Sequence, residues 1–120
     1  MILESLLVLR AGEKMASEFT LWLEFEAWSD HACNEFDPED EFINAIVTLA
    51  DGRRYALNIW TYNNVLTQVA HAKKANECFE GKYLIPPDLL VARIDRPSLE
   101  QVFSELIRLN QLKPEWEVKD

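Results

Sequence analysis

From Phe19 to Trp28 the chain alternates in character. Phe19, Leu21, Leu23, Phe25 and Ala27 fall on one side; Thr20, Trp22, Glu24, Glu26 and Trp28 fall on the other. A period of two is that of a strand buried on one face. The alternation stops at Ser29. From there to Glu41 the chain holds Asp, Asn and Pro without a period, which predicts a loop.

Two β-rich runs follow, Phe42 to Leu49 and Arg53 to Trp60, on either side of Asp51-Gly52. A two-residue turn would set Leu49 against Arg54 and mix the faces. A three-residue loop, Ala50-Asp51-Gly52 with Gly52 left-handed, pairs Val47 with Tyr55, Ala45 with Leu57, and Ile43 with Ile59. All six then share one apolar face, so turn chemistry and register agree. The opposite face receives Asn44, Ile46, Thr48, Arg54, Ala56 and Asn58, with Phe42 beside Trp60.

Thr61 suits the N-cap of a helix running to about Asn76, with Val65, Leu66, Val69 and Ala72 as its apolar stripe. Lys73 and Lys74 suit its negative end. Pro86-Pro87 enforces extended backbone before a strand from Leu89 to Ile94. Ser98-Leu99-Glu100-Gln101 reads as a capping box for a last helix. Leu99, Val102, Phe103, Leu106 and Ile107 recur along it at helical spacing. The predicted order is β-β-β-α-β-α. The expected fold class is α+β: a three- to four-stranded, mainly antiparallel sheet with two helices packed on one face. Val47, Tyr55, Leu57, Ile59, Leu66, Val69, Phe103 and Leu106 are the expected core. The open face would carry Trp22, Trp28, Phe42 and Trp60.

A length of 120 residues with 48% hydrophobic content supports one domain with its own core. We place it at 15–112. Residues 1–14 allow either a short packed helix or an N-terminal extension before a start at Met15. The break at Ala11-Gly12 favours the extension. Residues 113–120 read as a C-terminal tail anchored by Trp116. The opening residues lack the basic region and long apolar core of a signal peptide, and no run is long enough for a membrane span. A cytoplasmic protein is expected, with no membrane partner.

Charge changes the picture more than composition does. The formal net charge is -9, and no Lys or Arg occurs between Met15 and Gly52. A nucleic-acid role is therefore not expected, because phosphate binding requires a basic patch. The negative field suits a basic protein partner. Asp37, Glu39, Asp40 and Glu41 form the densest cluster, and the same pattern also fits a solvated loop. Trp22, Trp28 and Trp60, on the non-core face, are candidate anchors for such a partner. The competing reading is that other segments cover them.

Chemistry of other kinds finds little support. His31, Cys33, His71 and Cys78 have metal-binding atoms, but their spacing matches no standard structural zinc site. The loop lacks the Gly and alternating donors of a calcium loop. No nucleophile with a positioned base and no Gly-rich phosphate loop is present. We expect no metal, no cofactor and no catalytic residue, and cysteines that stay reduced.

Four stretches carry a resemblance: Leu21-Trp22-Leu23-Glu24-Phe25-Glu26, Asp51-Gly52-Arg53-Arg54-Tyr55, Asn58-Ile59-Trp60-Thr61 and Leu84-Ile85-Pro86-Pro87-Asp88-Leu89. Through them the segment from Leu21 to Leu112 resembles a group of small uncharacterised bacterial proteins, which implies bacterial origin. In general type the chain also resembles immunity proteins of bacterial polymorphic-toxin systems, which are small acidic proteins that occlude a basic toxin domain. The leading expectation is a non-enzymatic, acidic protein-binding module, with this immunity type as its most specific form. Two alternatives stay open. One is a small enzyme or ligand-binding domain using the aromatic, carboxylate-bearing face. The other is a structural subunit that forms a homodimer through that face.

Overall fold

The computed structural model describes residues 19–28, 36–85 and 87–119. The alternation at Phe19 produces strand β1 (Phe19–Leu23), with Phe19, Leu21 and Leu23 buried and Thr20 and Trp22 exposed. The strand ends at Leu23, earlier than the sequence pattern, and Glu24–Ala27 form a 3-10 turn. Glu24 supplies the reason. Its Oε1 accepts from the backbone N of Asn44 at 2.8 Å and from Asn44 Nδ2 at 3.2 Å. A side chain thus takes the donor that a continuing strand would have paired through its backbone. The period of two therefore does not reach Trp28.

Strands β2 (Phe42–Leu49) and β3 (Arg54–Thr61) form the expected hairpin. Leu49 N donates to Arg53 O at 2.8 Å, and Thr61 N donates to Glu41 O at 3.0 Å. Both bonds belong to the predicted register, and Ile43, Ala45, Val47, Tyr55, Leu57 and Ile59 are all buried. Gly52, at φ 93°, takes the left-handed position that the loop demands. Asp51 closes the loop by accepting from Arg53 N at 3.0 Å and Arg53 Nε at 2.9 Å.

The sheet order is β1-β2-β3-β4, with β4 at Leu89–Val91. β4 runs parallel to β3, with Ile59, Trp60 and Thr61 opposite Leu89, Leu90 and Val91. Parallel neighbours need a crossover, and helix α1 (Tyr62–Lys74) provides it. The class is α+β and the order β-β-β-α-β-α, as expected, but the sheet is mixed. β4 stops short of Ile94, whose N donates out of the sheet to Pro38 O at 2.7 Å.

Thr61 caps α1, its Oγ1 accepting from Asn64 N at 3.1 Å. The inward face of α1 differs from the expected stripe. Asn64 and Ala72 are buried, Val65 and Val69 are half-buried, and Leu66 is exposed. Asn64 faces inward because its Nδ2 donates to Asp40 Oδ1, and that phase turns Leu66 to solvent. Helix α2 (Arg96–Arg108) buries Leu99 and Phe103, with Val102, Leu106 and Ile107 half-buried. It starts ahead of Ser98, which lies inside the first turn rather than at the cap. Pro97 is tolerated there because first-turn N–H groups have no helical acceptor. Arg96 fixes the turn, donating from Nη1 to Glu100 Oε2 at 2.8 Å and from Nη2 to Leu21 O at 2.6 Å.

The described chain clusters into two units, and β2 and β3 contribute to both. The first draws on 19–22, 45–56 and 96–119, and buries Phe19, Leu21, Ala45, Val47, Tyr55, Leu99, Phe103 and Trp116. In it, residues 113–119 are tied down: Tyr55 bridges Glu117, and Val118 N donates to Arg54 O at 2.8 Å. The second draws on 23–28, 36–44, 57–85 and 87–95, and buries Leu23, Ile43, Leu57, Ile59, Thr61, Asn64, Ala72, Val91 and Ile94. Among the described residues no helix is long and apolar enough to cross a membrane. The expected extension at 1–14 lies outside the described residues.

Candidate partner-binding site

The four clustered acids occupy one turn of the second unit, and each has its own setting. Asp37 begins the turn: its O accepts from Asp40 N, and its Oδ1 accepts from Glu39 N, both at 3.0 Å. Asp40 faces α1. Its Oδ1 accepts from Asn64 Nδ2 at 2.9 Å and its Oδ2 from Thr67 Oγ1 at 2.7 Å. Glu39 pairs with Arg93 Nη1 at 2.9 Å, and Arg93 also binds Asp95 through Nε. The sequence around the loop holds no base, yet the fold delivers one from far along the chain. Glu41 ends the turn, its N donating to Thr61 Oγ1 at 3.1 Å. Burial pushes the Glu41 carboxyl above its usual range. The bond from Phe42 N opposes that shift, while repulsion from Asp40, Asp37 and Glu24 adds to it.

The turn leads into the outward face of the sheet. Phe42 and Trp60 lie across the hairpin with ring centroids 6.0 Å apart. Trp60 is opposite Leu90 on β4, so Phe42, Trp60 and Leu90 form a row over three strands. Phe42 and Leu90 are exposed and Trp60 is half-buried. The next row is polar. Asn58 Nδ2 donates to Asn44 Oδ1, and Asn58 N donates to Asp88 Oδ2 at 2.8 Å. Glu24, already bonded to Asn44, closes the other end. An apolar row is thus bordered by a polar ladder with a carboxylate at each end.

Of the three candidate tryptophans, Trp60 belongs to this row. Trp28 does not: its ring stands edge-on to Phe36 at 5.9 Å, and Phe36 stacks on Phe25 at 4.8 Å. Trp22 is exposed on β1, in the first unit. Glu24 is one of the paired carboxylates, with Glu26, that the sequence puts on one strand face, whereas Asp88 and Leu90 carry no local signal of a site. The hairpin register does place Phe42 beside Trp60, but nothing local announces that β4 will extend that row.

Other chemistry is sparse. His71 is exposed, and Cys78 is a half-buried free thiol. His31 and Cys33 lie outside the described residues. Among the described residues no three His, Cys, Asp or Glu side chains are grouped to hold a metal ion. In the first unit a shallow cleft is lined by Leu49, Arg53, Tyr55 and Leu106. Its guanidinium is already committed to Asp51 and to the Tyr55 hydroxyl. No protein family, curated protein or solved structure matches this chain.

Proposed function

We propose that this protein is a non-enzymatic binding module. It docks a basic protein on the 37–41 turn and on the row formed by Phe42, Trp60 and Leu90. The observation that carries this reading is the exposed apolar row next to Asp37, Glu39 and Glu41, with Glu24 and Asp88 at the ends of its polar border. Aromatic anchors give a complex its lifetime, whereas surrounding charges raise the association rate. The most specific form of the proposal is an immunity-type inhibitor, in which the acidic surface occludes a basic toxin domain.

Stopped-flow association with a basic partner recovered by co-purification tests the reading. Asp37→Asn with Glu39→Gln should slow association and flatten its salt dependence, since screening acts over about 8–10 Å. Phe42→Ala should raise the dissociation rate. A partner that binds all variants with the rates of the wild type would remove this surface from the function.

A further inference from the structure

β1 ends at Leu23 and β4 begins at Leu89, so neither outer strand reaches the row of Asn44 and Asn58. A carboxylate stands in on each side. Glu24 Oε1 accepts from Asn44 N, and Asp88 Oδ2 accepts from Asn58 N, both at 2.8 Å. Each does the work of a strand carbonyl. Glutamine and asparagine would accept the same bonds, so the two negative charges are surplus to the fold. Asp88 is exposed, and its Oδ1 has no partner among the described residues. Arg93 does not neutralise it, being held by Glu39 and Asp95.

Continuing the β3–β4 register back by one residue sets Asp88 beside Asn58, two residues short of the Trp60–Leu90 pair. Two residues along a strand and one strand across is about 8 Å. A carboxylate without a counter-charge thus stands within one side chain's reach of an aromatic ring that Phe42 and Leu90 flank. A cation that takes both must shed water over the apolar row and still donate to the carboxylate. The lysine ammonium is a compact, strongly hydrated point charge. The arginine guanidinium is planar and weakly hydrated, stacks on aromatic faces, and carries donors along its edge. We propose that the anchor of the basic partner is an arginine, its guanidinium laid on the Trp60 ring and donating to Asp88 Oδ1. The inference rests on the basic-partner reading and names the side chain which that reading leaves open.

Isothermal titration calorimetry of the full chain at low salt, with octaarginine and with octalysine, tests the proposal. The wild type should bind octaarginine about tenfold more tightly than octalysine. Asp88→Asn keeps an acceptor for Asn58 N and removes the charge; Trp60→Leu removes the ring. Each should cut the preference to about threefold or less, and Trp22→Leu, in the first unit, should leave it intact. The ratio of affinities is the readout, because plain loss of charge weakens both peptides alike. Far-UV circular dichroism checks that each variant remains folded, and Asp88→Asn carries the test alone if Trp60→Leu does not. Equal affinities for the two peptides overturn the arginine anchor; the basic-partner reading then stands if Asp37→Asn with Glu39→Gln weakens both. A preference that survives Asp88→Asn and Trp60→Leu also overturns the anchor. Failure of both peptides to bind overturns the anchor and the basic-partner reading together.

Discussion

Asp40 and Asn64 meet at 2.9 Å, one from the acidic turn and the other from the inward face of α1. Asn64 is buried, so the carboxylate satisfies an amide that water does not reach freely. Asp40→Ala would leave that donor without this acceptor, at a cost of about 1–3 kcal/mol. Glu39→Ala removes only an exposed ion pair and should change stability by under about 1 kcal/mol. Urea denaturation of both variants checks the contrast, and equal midpoints would refute the anchoring role of Asp40.

Glu41 gives a pH signature. Burial raises its folded pKa above the ordinary glutamate value, so the folded state holds its proton more tightly than the unfolded chain. The charged form is therefore a penalty on folding at neutral pH, and the penalty fades as pH falls through the folded pKa. Glu41→Gln should be more stable than the wild type at pH 7. Its advantage should shrink on acidification and be gone below about 4.5. Unfolding free energies of the two proteins across that range supply the test. An advantage that grows toward acid would reverse the sign and refute it.

The short turn Cys78–Gly81, left-handed at Cys78, Phe79 and Glu80, makes a prediction of opposite sense to most surface changes. Glu80→Gly should stabilise the protein by about 1 kcal/mol, because glycine accepts φ of 58° without steric cost. Gly81→Ala should destabilise it by more than about 1 kcal/mol. Its new Cβ would sit 2.9 Å from Val69 O on backbone at φ 80°. Thermal unfolding of the pair reads both signs at once.

Phe103 and Leu66 are both apolar helix residues that the sequence assigns to the core. Only Phe103 is fully buried. Phe103→Ala should cost about 3–5 kcal/mol. Leu66→Ala should stay within about 0.5 kcal/mol. Chemical denaturation separates the two.

These contrasts mark where the sequence was readable. The β2–β3 register was, because period-two alternation and a Gly-bearing loop are both local signals. The end of β1 was not: it depends on Glu24 reaching Asn44, twenty residues on. The phase of α1 differs from the expected stripe for the same kind of reason, since the inward-facing Asn64 bonds Asp40, far back along the chain. Nothing in Cys78-Phe79-Glu80 signals left-handed backbone, as none is a glycine. The candidate site divides likewise. Asp37 to Glu41 are contiguous and visible, and register puts Phe42 beside Trp60. Arg93, Asp88 and Leu90 join them only through the fold.

The outer edge of β3 is closed in two pieces. Leu89–Val91 cover Ile59 to Thr61, and residues 117–118 cover Arg54 and Tyr55. The second closure is highly non-local, so forming it closes a far longer loop than the hairpin does and costs more chain entropy. Until residues 117–118 arrive, the start of β3 shows unsatisfied backbone donors and acceptors beside apolar side chains. That edge is a template for strands of other molecules. A few residues far along the chain thus cover a stretch of β3 whose backbone would otherwise be open to pairing with another molecule.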